Sequence, residues 1–260
     1  IPYDRNSSYL RGSAEAPGKI RENYYSGSAN YYSESGIDVE RDPRSVDLGD
    51  LHFGTGTEFF EGIVRPVRSI YASGTRVICL GGDHSITYPV VKGIAQTGLE
   101  FQILHIDAHS DTYPIYYGNP YSHACPFARI MEDGITSRLV QVGIRTLTPE
   151  QRSVIKRYGI EVYEMRSWTG KEKFDFTQPI YLSVDLDVLD PAFAPGVSHY
   201  EPGGMTTRQL IDIIQNLSVP LIGADIVEYN PRRDHYGMTG MVAARLIKEI
   251  FARMVEIGKV

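Results

Sequence analysis

Residues 101–111 read FQILHIDAHSD, a largely apolar run that passes directly into two aspartates and a histidine. The same arrangement occurs at residues 76–85 (RVICLGGDHS) and at residues 180–187 (IYLSVDLD). Short apolar runs that end in turn or polar residues are typical of buried strands in a parallel sheet. Ligands of open α/β sheets bind outside the carboxyl ends of the strands. The three polar segments are therefore expected to converge on one site.

The chain from about Glu58 onward alternates between helix and strand patterns. Strands are predicted at residues 76–80, 101–106, 138–142, 160–163, 180–184 and 221–227. Helices are predicted from residue 127 and at residues 59–72, 88–96, 149–158, 207–216 and 240–255. This alternation predicts an α/β fold with three α-β-α layers and a mainly parallel, doubly wound sheet.

The 260 residues fit one large domain that can bury a full sheet with helices on both faces. We therefore predict a single domain over residues 1–260. About the first 50 residues are polar and tyrosine-rich, and they are expected to form a loop-rich segment packed on this domain. A helix is expected to begin near Ala16, since Pro17 suits a first turn.

Composition narrows the class of protein. A hydrophobic content of 42% and a charged content of 22% are ordinary for a globular protein. The net charge of −6 argues against a nucleic-acid partner, which would require a basic surface. No apolar run approaches the roughly 18 residues of a membrane span, so no membrane partner is expected. Cys79 and Cys125 lack the spacing of a zinc or disulfide framework, and a reducing, cytosolic location is expected.

The polar segments contain a cluster of potential metal ligands. Asp107, His109 and Asp111 occupy alternate positions just past a strand, so all three can face one site. Four carboxylates at contact distance would suppress one another's ionisation, and the cluster therefore requires a cation. The candidates at the other two strand ends are His84, Asp185 and Asp187.

This donor set suits two metal ions that share bridging carboxylates. Oxygen-rich ligation with one histidine per ion favours manganese over a tetrahedral zinc site. Two ions a few ångströms apart lower the pKa of a shared water and provide a hydroxide nucleophile near neutral pH. Two Mn²⁺ ions per chain are therefore predicted.

Three polar residues near this cluster are expected to have structural roles instead. His105 lies out of step with the inward-facing ligand positions and should pack or cap the sheet. Asp83 should accept hydrogen bonds from backbone amides. Asp190, which precedes a proline, should stabilise a turn or support a neighbouring side chain.

Three motifs carry a resemblance to a known family. They are GGDHS at 81–85, DAHSD at 107–111 and SVDLDVLDP at 183–191. On these motifs the chain is identified as a member of the ureohydrolase family, which includes arginases and agmatinases. It most resembles plant-type arginases and their bacterial relatives, through residues 121–132, 190–199 and 224–231. The resemblance implies an arginase-like fold and a homo-oligomer, either a trimer or a hexamer.

The resemblance also implies how the metal ligands divide. One manganese ion would be held by His84, Asp107, Asp111 and Asp185. The other would be held by His109, Asp107, Asp185 and Asp187. Asp107 and Asp185 would then bridge the two ions, which agrees with the expectation of shared carboxylates. Asp111 would also accept a hydrogen bond from the hydroxide nucleophile and relay its proton.

The resemblance further assigns the groups that handle substrate. His123 matches the family's proton-shuttle histidine, and its place in a loop beyond the ligand cluster suits a mobile side chain. Glu228 matches the acid that holds the guanidinium group, a planar cation suited to a carboxylate partner. Further substrate contacts are expected from Tyr113, Ser122 and His199.

Departures from the animal-type arginases leave the substrate open. Those enzymes recognise the amino acid's α-amino and α-carboxylate groups with an aspartate after Gly-Ile-Arg and with an asparagine past the third metal ligand. Thr146 or Thr148, and Tyr113, stand at those places here. Plant-type arginases show similar departures, so L-arginine is the first expectation. Agmatine or a smaller guanidino compound is the alternative.

Two other functions are more distant alternatives. A metal-dependent deacetylase shares a related fold and an Asp-x-His motif, but it needs one metal ion, which leaves His84 and Asp111 without a ligand role. A regulatory homologue that has lost activity is the second, although such proteins usually lose ligands and this chain retains all six.

Overall fold

The computed structural model describes residues 1–53 and 58–258, so the last two residues of the predicted domain 1–260 lie outside it. One parallel sheet of six strands forms its centre, in the order β1-β6-β5-β2-β3-β4. The strands are β1 (Ile78–Leu80), β2 (Gln102–Ile106), β3 (Leu139–Ile144), β4 (Glu161–Glu164), β5 (Ile180–Asp185) and β6 (Leu221–Val227). The predicted parallel, doubly wound α/β fold is confirmed.

Seven α-helices accompany these strands in the described part of the chain. They are α1 (Ala16–Tyr24), α2 (Glu58–Ala72), α3 (Thr87–Ala95), α4 (Pro126–Glu132), α5 (Pro149–Tyr158), α6 (Thr207–Gln215) and α7 (Met238–Ile257). None of these helices combines the length and apolarity needed to cross a membrane.

Two separate apolar cores cover the two faces of the sheet. Adjacent strand residues point to opposite faces, so Ile103 enters one core and Leu104 the other. Residues of α1, α6 and α7 fill the core that contains Leu104. Residues of α2, α3 and α4 fill the core that contains Ile103. The molecule therefore has the predicted three α-β-α layers.

The crevice that holds the site forms where the strand order reverses. Strands β2 and β5 are neighbours, and Ile106 pairs with Val184 near their carboxyl ends. From β2 the chain continues to β3 on one side, whereas from β5 it continues to β6 on the other. Diverging connections open a crevice outside these strand ends. The polar segments after both strands start at its floor.

The N-terminal segment, residues 1–12, passes directly over the loop that follows β1. The ring of Tyr3 stacks on Phe59, with 3.6 Å between ring centroids. A side chain at Gly82 would collide with the Tyr3 carbonyl oxygen, since a Cβ there would lie only 1.7 Å from it. Glycine at residue 82 therefore allows the segment to lie against the strand end that carries His84.

Candidate metal centre

His84 is held by a relay of hydrogen bonds that fixes its ring. Its Nε2 lies 3.0 Å from the Ser183 hydroxyl, which in turn donates to Asp225 Oδ1 at 2.7 Å. Because the serine proton is given to Asp225, the hydroxyl oxygen accepts the Nε2–H of His84. In the neutral ring, Nδ1 is consequently the nitrogen with the free lone pair.

That lone pair faces carboxylates. Nδ1 of His84 lies 3.1 Å from Asp107 Oδ2, 3.1 Å from Asp111 Oδ2 and 3.2 Å from Asp185 Oδ2. No residue in the described part of the chain offers this buried nitrogen a hydrogen bond. Burial alone would lower the pKa of His84, but the three surrounding carboxylates outweigh it and hold the pKa well above the usual range. Four such atoms around one point fit a cation at their centre.

A second group of donors lies beside the first. His109 Nδ1 is 3.0 Å from Asp187 Oδ2 and 3.5 Å from Asp107 Oδ1. Nε2 of His109 lies 3.4 Å from the Glu201 carboxylate, which can orient the ring. Asp107 faces both histidines, with one oxygen toward each. This geometry suits a carboxylate shared between two cations.

Burial and mutual repulsion raise the pKa values of two acids of the cluster. Burial raises the pKa of Asp185 well above its usual range, and the nearby Asp187 and Asp107 charges raise it further. Burial also raises the pKa of Asp187, to about 6, although His109 opposes the shift. These acids resist ionisation without a counter-charge. The acidic cluster thus favours binding of cations, which would supply that counter-charge.

His105 supports the cluster from behind. Proximity alone would group it with His84 and Asp107 as three donors for one ion. Its Nε2 is 2.8 Å from Asp107 Oδ2, and its Nδ1 accepts from Gln141 Nε2 at 3.0 Å. Its ring also stacks on Phe127, with 3.8 Å between centroids. With both nitrogens engaged, His105 orients Asp107, two residues further along the chain, which agrees with its expected packing role.

Asp83 and Asp190, the two other residues expected to be structural, accept hydrogen bonds from backbone amides. Asp83 Oδ1 accepts from the Ser85 backbone amide at 3.1 Å, and Oδ2 accepts from the Asn6 amide at 2.9 Å. Asp190 accepts from the backbone amides of Ala192 and Gly203, at 3.0 and 2.7 Å. Neither aspartate is available for the cluster.

Two carboxylates reach the crevice from left-handed backbone. Asp111 has φ of 50° and Glu228 has φ of 63°, a region that residues other than glycine seldom occupy. Such strain is characteristic of functional sites, where it fixes the direction of a side chain. Both side chains are buried, with 6% and 3% exposure.

Glu228 and His123 form an ion pair at the edge of the cluster. Glu228 Oε1 lies 3.0 Å from His123 Nδ1 and also accepts from the His84 backbone amide at 2.9 Å. Burial would lower the pKa of His123, but the Glu228 carboxylate raises it to about 9. The other ring nitrogen of His123, Nε2, lies 2.8 Å from the Ser8 hydroxyl.

The three other residues expected to contact substrate, Tyr113, Ser122 and His199, lie in different surroundings. His199 reaches the site, since its ring centroid lies 5.2 Å from that of His123 and 6.1 Å from that of His109. Tyr113 is half-buried beside Tyr116. The Ser122 hydroxyl is buried and lies 3.5 Å from the Asn6 carbonyl oxygen.

The two threonines after Gly-Ile-Arg, Thr146 and Thr148, have different surroundings. Thr148 caps helix α5, where its hydroxyl accepts from the Gln151 amide in a capping box. Its side chain is therefore committed to the helix. Thr146 is exposed and pairs through its backbone with His109, so it is the threonine that lies beside the cluster.

Comparisons with known proteins identify the family of this chain. The arginase family matches residues 1–252 of the chain. "Arginase 1, mitochondrial" of Arabidopsis thaliana is 43% identical over 98% of this chain and 79% of its own length. "Guanidinopropionase" of Pseudomonas aeruginosa is 34% identical over 98% of this chain and 85% of its own. The solved arginase of Medicago truncatula superimposes with a TM-score of 0.92 at 43% identity, covering 97% of this chain and 85% of that one.

These relatives overturn the expected cytosolic location. The Arabidopsis enzyme is named mitochondrial, and so are the rice enzymes at 44% identity. The prediction of a cytosolic protein is therefore wrong. It rested on the absence of a cysteine framework, which reports only a reducing environment, and organelle interiors can be reducing as well.

Proposed function

Because the chain belongs to the arginase family, it is a metal-dependent amidinohydrolase, and we propose that it hydrolyses L-arginine to ornithine and urea. The observation that carries this proposal is the Glu228 carboxylate, which lies at the rim of a metal-ligand cluster and pairs with His123. Agmatine and smaller guanidino compounds are the alternative substrates, since "Guanidinopropionase" and "Agmatinase" are also among the relatives.

We propose two Mn²⁺ ions as the cofactor. The ligands are those expected from the sequence: His84, Asp107, His109, Asp111, Asp185 and Asp187. The support is His84 Nδ1, which faces three carboxylate oxygens and so marks a position where a metal ion can replace a proton. When bound, the ions lower the pKa of water so that a hydroxide nucleophile is available near neutral pH.

Glu228 is proposed to hold the guanidinium group. Its Oε1 is engaged by His123 and the His84 amide, whereas no hydrogen bond from the described residues reaches Oε2. A planar guanidinium can donate to this free oxygen. The charge of Glu228 would then orient the cation beside the metal ligands and stabilise it through the reaction.

His123 and Asp111 are proposed to move protons. His123 is charged below about pH 9, so it can protonate the amine that leaves when the guanidino carbon–nitrogen bond breaks. Asp111, buried in the cluster on strained backbone, is the nearby acceptor for the proton released by the attacking water.

The decisive test is release of urea by the manganese-loaded protein. L-arginine, agmatine, 3-guanidinopropionate, 4-guanidinobutyrate and guanidine are compared in parallel. The proposal predicts that kcat/KM for L-arginine exceeds that for every other compound by tenfold or more. A higher value for agmatine would establish the alternative, and no urea from any compound would refute the proposed activity.

The proposed functional form is a homo-oligomer, a trimer or a hexamer, as the family resemblance implies. Sedimentation equilibrium of the manganese-loaded protein tests this part. A mass that stays at one chain over the micromolar range would contradict it.

A further inference from the structure

We propose that Ser8, in the N-terminal segment, is a positioning residue for His123 and remains bonded to it in both of its protonation states. The inference rests on the proposed function, because it assumes that His123 transfers a proton during the reaction. It concerns a contact between residues 115 positions apart in the chain.

The two nitrogens of His123 have chemically different partners. Glu228 Oε1 lies 3.0 Å from Nδ1, and an ionised carboxylate can only accept a hydrogen bond. Nδ1 therefore carries a proton in the neutral ring as well as in the charged ring. Proton transfer must then occur at Nε2, and Ser8 Oγ is the atom that lies 2.8 Å from it.

A hydroxyl is suited to that position because it can reverse its role. When His123 is charged, Nε2–H donates and Ser8 Oγ accepts. When His123 is neutral, Nε2 carries a lone pair and the hydroxyl of Ser8 donates to it. A carboxylate or an ammonium group could serve only one of these states. Ser8 can thus hold the ring in one orientation throughout a proton-transfer cycle.

The backbone around Ser8 is anchored to the site. The His123 amide donates to the Asn6 carbonyl at 3.1 Å, and the Asn6 amide donates to Asp83 at 2.9 Å. The Asn6 side chain also donates to the Ser85 hydroxyl at 3.1 Å. These bonds fix residues just before Ser8 against two different loops of the site, so the hydroxyl is presented to His123 with little freedom.

Exposure places Ser8 at the boundary between His123 and solvent. His123 is 8% exposed, whereas Ser8 is exposed. The neighbouring Ser7 provides a matched control. Its hydroxyl is directed to Asp83, at 3.4 Å, and not to the histidine.

The test compares Ser8→Ala, Ser8→Thr and Ser7→Ala in the manganese-loaded protein. Ser8→Ala should lower kcat about three- to tenfold, the range of one hydrogen bond, and change KM less than about twofold. Ser8→Thr keeps the hydroxyl and should restore kcat to within about twofold of the wild type, as should Ser7→Ala. Equal kcat for Ser8→Ala and the wild type, or equal losses in Ser8→Ala and Ser8→Thr, would overturn the proposal.

Crystal structures of the manganese-loaded wild type and Ser8→Ala give a readout that does not depend on activity. The His123 ring should occupy one orientation in the wild type and more than one in the variant. An unchanged single orientation in Ser8→Ala would refute the positioning role. If the wild type releases no urea, the proposed function fails, while this structural comparison still decides whether Ser8 holds the ring.

Discussion

His84 Nδ1 lies 3.1 Å from Asp107 Oδ2, a nitrogen lone pair set against a buried carboxylate oxygen. The Ser183 hydroxyl takes the only proton of the neutral ring on its other side. The two atoms attract only if a second proton or a metal ion lies between them. The arrangement is accordingly explained by a cation-binding centre, and metal binding should release a proton from this histidine.

Replacing His84 should empty one of the two proposed ion positions. His84→Ala removes the only imidazole of its group of donors but leaves His109 and the shared Asp107 in place. We expect the bound manganese to fall from about two ions to about one per chain, with reduced activity. Metal analysis after gel filtration measures this, and His52→Ala, an exposed histidine outside the cluster, is the control. Two retained ions in His84→Ala would exclude its ligand role.

Replacing Asp107 should have a larger effect than replacing His84. Its two oxygens face two different histidines, so both proposed ions lose a ligand in Asp107→Ala. Both ions and nearly all activity should be lost. The same metal analysis is used, with a check of folding by circular dichroism. Retention of one full ion would show that Asp107 does not bridge.

Replacing Glu228 should separate substrate binding from metal binding. Glu228→Gln keeps the size of the side chain but removes its charge, and the metal ligands are untouched. Loss of a charge-assisted hydrogen bond costs about 1.5–3 kcal/mol, so kcat/KM should fall roughly tenfold to more than a hundredfold while both ions remain. The loss should be similar for L-arginine, agmatine and guanidine, which share one head group. A loss confined to one of them would mean that Glu228 recognises the tail of the substrate.

The His123–Glu228 ion pair should make stability depend on pH. The pKa of His123 is about 9 in the folded protein against an ordinary value of 6.5. The pair therefore stabilises the fold fully below about pH 6.5, and its contribution is lost as the pH rises through 9. In chelator-treated protein, the difference in free energy of unfolding between wild type and His123→Gln should shrink on the order of 3 kcal/mol across this range. A difference that is independent of pH would contradict the ion pair, and His52→Gln supplies the baseline.

The fold could be predicted from the sequence because most strands are short apolar runs that end in polar residues. Predicted and observed strands agree closely, and β6 matches at both ends, Leu221 and Val227. The main differences are that β1 starts at Ile78, not at residue 76, and that β3 continues to Ile144, two residues past its predicted end. Strand boundaries depend on pairing with neighbours, which a single stretch of sequence does not specify.

The candidate cluster could also be predicted from the sequence, since the strand ends of a parallel sheet meet at one edge. The residues that support the cluster could not be predicted. Ser8 and Glu201 contact the site histidines from distant segments, and no periodicity or spacing identifies them. The contact between Ser8 and His123 was hidden in the same way, because Ser8 lies on a segment that the sequence showed only as polar and loop-rich.

Anomalous diffraction from crystals of the manganese-loaded protein shows directly whether two ions bind in the cluster. We expect two peaks per chain, one beside His84 Nδ1 and one beside His109 Nδ1, with Asp107 between them. A single peak would contradict the proposed pair of ions. Two peaks away from these histidines, or none at this edge of the sheet, would contradict the dinuclear centre on which the proposed chemistry depends.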